Sequence, residues 1–186
     1  MVSPFSFIVK PVGGKRYDNV RKYGDKEFII SSSQEDHTVT NRFGIVQSVP
    51  LDYTGDIQVD DIVVVHHNVF RIYYDMSGKE RSSSSHYKDD VYIVDHDQLF
   101  LYKKGDSDWI APYPYCFIEP IKKEQSLIYS LGSNQELTGI IAYIPENSLN
   151  LSKGDKIYFQ PDMEYEFRID GRKLYRMKLN NLCLKL

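Results

Sequence analysis

The chain has 186 residues, 41% hydrophobic and 26% charged, which is ordinary globular material and enough for one large or two small domains. A net charge of -3 lacks the basic excess that phosphate neutralisation requires, which argues against nucleic acid as the main partner, a local basic patch aside. The chain contains no run of about eighteen apolar residues and no charged-then-apolar leader with a small-residue cleavage site, so neither membrane insertion nor export is expected and the expected compartment is cytoplasmic.

In chain order, an apolar stretch FIVKPV with Pro11 is followed by GGKRYDNVRKYGDKEFIISSSQEDHTVTN, residues 13 to 41. So polar a segment cannot bury enough apolar surface to offset its ordering entropy, which predicts a mobile loop. Within it Phe28, Ile29 and Ile30 form an apolar island, to be read either as a contact for a partner or, alternatively, as a strand or a segment folded back on its own domain. FGIVQSVP (43 to 50) and IQVDDIVVVH follow as short strands, then YYDMSGKERSSSSHYKDD, whose SGK turn and serine run predict an exposed hairpin tip or solvated loop. VYIVDHDQLFLYK reads as strand, with a turn or two of helix near Asp95 to Leu99. GDSDWIAPYPY, rich in Gly, Asp and Pro, marks a linker carrying the lone Trp109, which is expected to pack between domains or at a subunit contact. YCFIEPI, TGIIAYI and DKIYFQP are again strands, and KKEQSLIYSLGSNQELT between the first two holds a second island, Leu127, Ile128 and Tyr129, readable equally as a contact or as a hairpin ending in a Gly turn. The fold class expected is all-β, as barrel or sandwich.

The two halves repeat one order of landmarks. Pro11 pairs with Pro120 (120 − 11 = 109), Gly44 with Gly139 (139 − 44 = 95), Asp61 with Asp155 (155 − 61 = 94) and Leu99 with Leu182 (182 − 99 = 83). Order is kept while the separation falls in two large steps, so the first half carries two insertions: 109 − 95 = 14 residues between opening strand and Gly, and 94 − 83 = 11 residues after VVVHH. An internal duplication explains this most economically.

On these motifs each half resembles the GroES-like co-chaperonins, small β-barrels that cap a chaperonin ring. FIVKPV, FGIVQSVP, IQVDDIVVV and VDHDQLFLY match the family's strands in the first half, and CFIEPI, TGIIAYIP, LSKGDKIYF and KLNNLCLKL match them in the second. The expected organisation is two tandem GroES-like small β-barrels: residues 1–104 with the long mobile loop, a linker 105–112, and residues 113–186. Only six or seven residues follow Pro50 and Pro145 before the next strand, leaving little room for the family's roof hairpin, and the family's Gly-Asp pair is Gly154-Asp155 in the second half but Asp60-Asp61 in the first. The tandem form resembles the double co-chaperonins of chloroplasts; the long loop with a reduced roof resembles phage-encoded ones, for which the compartment would be the host cytoplasm.

The resemblance implies that Phe28, Ile29 and Ile30, and in the second loop Leu127, Ile128 and Tyr129, bind the apical domains of a GroEL-like chaperonin ring. It further implies self-association into a ring, enclosure of unfolded client proteins, and no cofactor of its own, ATP being bound by the chaperonin. Burying each apolar residue contributes about 1.5 to 3 kcal/mol against about 1 to 2 kcal/mol per residue ordered, so one loop binds weakly and a ring of loops binds firmly.

Enzymatic and metal chemistry find little support. His66-His67, His86 and His96 fit no zinc spacing, and neighbours on a strand face opposite ways, so His66 and His67 are not expected to share a metal. No nucleophile elbow, zinc-protease motif or phosphate-binding Gly loop is present. Cys116 and Cys183 alternate with apolar neighbours at no metal-like spacing, which predicts two buried free thiols. Two other readings stay open: a structural or adaptor protein, viral or not, built from GroES-like or SH3-like barrels without chaperonin binding, and a small-ligand barrel or enzyme accessory domain.

Overall fold

The computed structural model describes residues 1–17, 20–24, 26–29, 40–121, 137–146, 148, 150–163 and 165–186. These residues are all-β, with sixteen strands, three short 3-10 turns and no α-helix. The chain divides into two compact units, Met1–Asp108 and Trp109–Leu186, at a point inside the segment 105–112.

Unit 1 contains β1 (Phe7–Pro11), β2 (Val20–Tyr23), β3 (Lys26–Ile29), β4 (Phe43–Ser48), β5 (Ile62–Val65), β6 (Ile72–Tyr74), β7 (Glu80–Ser82), β8 (His86–Lys88), β9 (Val91–Val94) and β10 (Leu99–Lys103). Six of them form a sheet in the order β10-β5-β4-β1-β9-β8, while β2-β3 and β6-β7 are separate two-stranded hairpins. Unit 2 contains β11 (Tyr115–Pro120), β12 (Thr138–Tyr143), β13 (Lys156–Phe159), β14 (Tyr165–Ile169), β15 (Arg172–Lys178) and β16 (Leu182–Lys185), in the order β14-β15-β11-β12-β13-β16. Read from the other edge this is the unit 1 order. Each sheet has two edge strands, and among the described residues no pairing between them closes it into a barrel.

Composition explains why these segments are strands: β-branched and aromatic residues fill the pleated surface and pack against cross-strand neighbours. In unit 1 Phe7, Val9, Val46, Val63, Phe70 and Tyr92 are buried, with the Phe70 and Tyr92 rings edge to face at 4.7 Å. In unit 2 Cys116, Ile118, Ile141, Ile157, Phe159 and Met177 form one buried cluster.

The duplication extends to register. Pro11 stands opposite Gly44 and Pro120 opposite Gly139; Val9 opposite Val46 and Ile118 opposite Ile141. The same bulge follows in both, between Ile8 and Val9 and between Phe117 and Ile118. A second shared bulge joins β10 to β5 and β16 to β13. The helical turn expected near Asp95 to Leu99 is a 3-10 turn, His96–Gln98, closed by the Asp95 N–H donating to Gln98 Oε1 at 3.1 Å; its counterpart is Leu179–Asn181.

The two glycines of the repeat sit where strands approach too closely for a side chain. A Cβ on Gly44 would run into Val9 Cγ1 and lie 3.3 Å from Lys10 O; one on Gly139 would run into Ile118 Cγ2 and lie 2.8 Å from Glu119 O. The paired aspartates close the turn into the third sheet strand. Asp61 Oδ2 accepts the Gln58 N–H at 2.8 Å, and Asp155 Oδ2 accepts the Ser152 N–H at 2.9 Å. The residue before each is left-handed, Asp60 at φ 70 and Gly154 at φ 93, and both conformations suit the residue types present. The departure Asp60-Asp61 therefore keeps the backbone of the Gly-Asp pair.

The 11-residue insertion after VVVHH is the hairpin β6-β7. At its tip Asp75 Oδ1 accepts the N–H groups of Ser77 and Lys79 at 2.9 and 3.0 Å, Asp75 Oδ2 pairs with Arg81 Nε at 3.0 Å, and Gly78 takes φ 74. No strand lies between β4 and β5, nor, among the described residues, between β12 and β13, where the family's roof hairpin would stand.

Gly139→Ala is expected to lower the stability of unit 2 by about 1 to 3 kcal/mol, because the added methyl must displace backbone as well as Ile118. Gly44→Ala should cost unit 1 less, since Lys10 O lies farther off. Urea unfolding followed by Trp109 fluorescence for unit 2, and by far-ultraviolet dichroism for the whole chain, measures both.

Asp155 carries a pH dependence. Its hydrogen-bonded ion pair with Lys185 Nζ at 2.6 Å, then the Ser152 N–H, hold its carboxyl below the ordinary range. A lowered folded-state value means that the stabilisation is present above the unfolded value, about 3.9, and is lost as pH falls through the folded value. Asp155→Asn is expected to be less stable than the parent near neutrality, the gap closing below about pH 4, as read by thermal melts across that range.

Candidate binding site

The residues expected to contact a partner lie in the two long loops. In the first, Gly24 at φ 61 turns the chain so that β2 and β3 pair antiparallel, with Val20 opposite Ile29, Arg21 opposite Phe28 and Tyr23 opposite Lys26. Phe28 and Ile29 are thus consecutive positions of β3, in a hairpin that pairs with no strand of the unit 1 sheet among the described residues. Of the two readings of this island, strand and contact, the strand is present in the backbone, paired within the loop itself. Ile30, Leu127, Ile128 and Tyr129 lie outside the described residues.

The root of the first loop is closed by polar contacts. Tyr17 and Thr40 form an isolated antiparallel bridge, and the Asn41 N–H donates to Arg16 O at 2.9 Å. Asn41 Nδ2 donates to Lys15 O at 2.6 Å and Val12 O at 3.3 Å, while its Oδ1 accepts the Phe43 N–H at 2.9 Å. Thr40 and Asn41 are both buried, so these contacts satisfy groups that water does not reach.

Arg16 and Tyr17 tie this root to the other insertion. Arg16 Nε donates to Phe70 O at 3.0 Å, Nη2 to Arg71 O at 3.3 Å and Nη1 to Ser82 Oγ at 3.4 Å. Its guanidinium carbon also lies 5.7 Å from the centroid of the Tyr92 ring. The Tyr17 hydroxyl accepts the Ile72 N–H at 2.7 Å and donates to Ile72 O at 3.4 Å. Burial is the main reason that the Tyr17 phenol is raised above its usual range, which keeps it a neutral donor. Sequence reasoning missed these residues: their partners stand 54 to 66 positions away and are mostly backbone carbonyls, which leave no trace in residue type or spacing.

Two expectations about reactive side chains need correction. Cys183 is exposed, not buried. It lies on the edge strand β16, where Leu182 turns toward the core and the next residue faces away. Cys116 is buried; its Sγ lies 3.6 Å from Met177 O, and burial pushes the thiol up to about 12. His66 and His67 do not alternate along a strand either, because β5 ends at Val65 and both lie in the following turn. Their rings stack with centroids 4.1 Å apart and planes inclined by 31°. Among the described residues no group of three or more His, Cys, Asp or Glu is placed to hold a metal ion, and no helix is long and apolar enough to cross a membrane.

No protein-family model matches the chain, and no curated protein matches it.

The two thiols are expected to behave oppositely. A disulfide-exchange reagent at about pH 8 should modify Cys183 rapidly and Cys116 only on unfolding, since the thiolate is the nucleophile. Counting released chromophore per native and per denatured chain, with Cys183→Ser removing the native signal, checks this.

Proposed function

We propose that the chain is a non-catalytic co-chaperonin, two GroES-like barrels in tandem that assemble into a ring and close a protein-folding chamber on a chaperonin. The single observation that carries this reading is that the two units repeat one strand order, register and pair of bulges, and that each interrupts its sheet at the same place. The interruption falls between the first two sheet strands, β1 and β4 in unit 1 and β11 and β12 in unit 2. That is where the resembled family carries its chaperonin-binding loop. Phe28, Ile29 and Ile30 are the residues assigned to the contact in the first loop, and Leu127, Ile128 and Tyr129 in the second. A single docked tripeptide contributes little after ordering its loop, so capping relies on many loops presented by one ring. The chain itself needs no cofactor or metal for this work; ATP hydrolysis belongs to the partner, and the compartment is that of the chaperonin, the cytoplasm.

One observation favours the rival reading of a structural or adaptor protein without chaperonin binding. Phe28 and Ile29 are already engaged in backbone pairing with β2.

Co-elution with a chaperonin is expected to require ATP and to fall at least tenfold on Ile29→Asp, with the native mass of the free ring unchanged. Stable assembly with no nucleotide-dependent partner in either protein overturns the co-chaperonin reading in favour of the adaptor.

A further inference from the structure

The two insertions that distinguish unit 1 from unit 2 meet. The first leaves the sheet after β1 and holds Arg16 and Tyr17; the second supplies Phe70, Arg71, Ile72 and Ser82, in and beside the hairpin β6-β7. Unit 2 has only residues 160–164 between β13 and β14, so no such hairpin stands at that place. We propose that Arg16 and Tyr17 are positioning residues that clamp the root of the first loop to the β6-β7 hairpin, so that the hairpin β2-β3 leaves unit 1 along a fixed direction.

The geometry is suited to that role. Arg16 spans two consecutive carbonyls, Phe70 O and Arg71 O, and reaches Ser82 Oγ on β7, which a lysine with its single nitrogen cannot reproduce. Tyr17 completes the row by bonding both backbone groups of the next residue, Ile72, the first of β6. Three successive residues of the second insertion are therefore held by two successive residues of the first. On the far side, Thr40 and Asn41 return the chain to the same point. Only two positions separate Tyr17 from Val20, the start of β2, so the clamp holds the chain close to where the hairpin begins. A contact presented on a restrained arm loses less freedom on docking, and the first loop is thereby the pre-organised one. This consequence rests on the co-chaperonin reading; the clamp does not.

The test separates the two. Spin labels placed through Lys26→Cys, at the exposed start of β3, and Ser77→Cys, at the exposed tip of β6-β7, on a Cys183→Ser background report the distance between the two hairpins in the full chain. The distribution is expected to be narrow, and to broaden about twofold in Tyr17→Phe and in Arg16→Lys, while Trp109 fluorescence shows unit 2 unaltered. Amide exchange at Ile72 should accelerate about fivefold in Tyr17→Phe, the effect of losing one net hydrogen bond. Unchanged width and unchanged Ile72 exchange in both variants overturn the clamp. With a chaperonin and ATP, weakening by about fivefold in Tyr17→Phe supports pre-organisation. Equal binding of parent and variant, with the distance broadened, refutes pre-organisation. Absence of binding by the parent itself counts against the co-chaperonin reading while the distance and exchange results still decide the clamp.

Discussion

Where the second sheet strand crosses the first, the backbones approach so closely that no side chain fits on one of them. Gly44 gives way to Val9, and Gly139 to Ile118, and directly beyond each contact the opening strand bulges before resuming its pairing. A bulge increases local twist and re-aims the strand, and in each unit it falls on a strand paired on both sides: β1 with β4 and β9, β11 with β12 and β15. The rest of each sheet is laid out from this central crossing. The strand after the glycine returns through the turn that Asp61 or Asp155 closes, and its backbone bonds back to the same crossing, Asp60 N–H to Val46 O and Gly154 N–H to Ile141 O, both at 2.8 Å.

The units diverge away from that crossing. The last sheet strand of unit 1, β10, is buried along most of its length, whereas its counterpart β16 exposes Cys183 and Leu184. In unit 1 the additional chain between β5 and β8 contributes Val69 and Phe70 to the core, and Phe70 meets Tyr92 edge to face. Tyr175 stands at the position of Tyr92 in unit 2 and is only partly buried, packing on Phe159 instead with ring centroids 6.1 Å apart. The insertion thus supplies apolar cover as well as a brace for the neighbouring loop.

Much of this plan was legible in the residues. The glycines, the aspartates and the prolines at strand ends answer to backbone requirements that few residue types meet, so they stand out as landmarks and their offsets give the repeat and both insertions. The all-β class followed from short runs of Val, Ile, Tyr and Phe between turn residues. Three things were hidden for physical reasons. Sheet closure depends on how edge strands meet, which alternation does not encode. The exposure of Cys183 depends on the outward face of β16 being left uncovered, since LCL reads the same in a covered strand. The fastening of the first loop runs through carbonyls supplied by residues distant in sequence. Of the residues expected to make a contact, Phe28 and Ile29 stood out as an apolar island, but nothing in FII distinguishes a strand that pairs locally from one that waits for a partner.

Tandem copies of a single pairing plan also carry a hazard during synthesis. In the nascent polypeptide β4 and β12 are interchangeable mates for β11 as far as backbone spacing and bulge position go, and exchange between adjacent repeats is a characteristic route to misassembly. What discriminates between them is bulk. Phe159 fills in the second repeat the place that Val65 holds in the first, and Ile118 stands where the first has Val9, so a traded strand meets a core of the wrong volume. A strand traded between the repeats would therefore leave either core underfilled or overfilled.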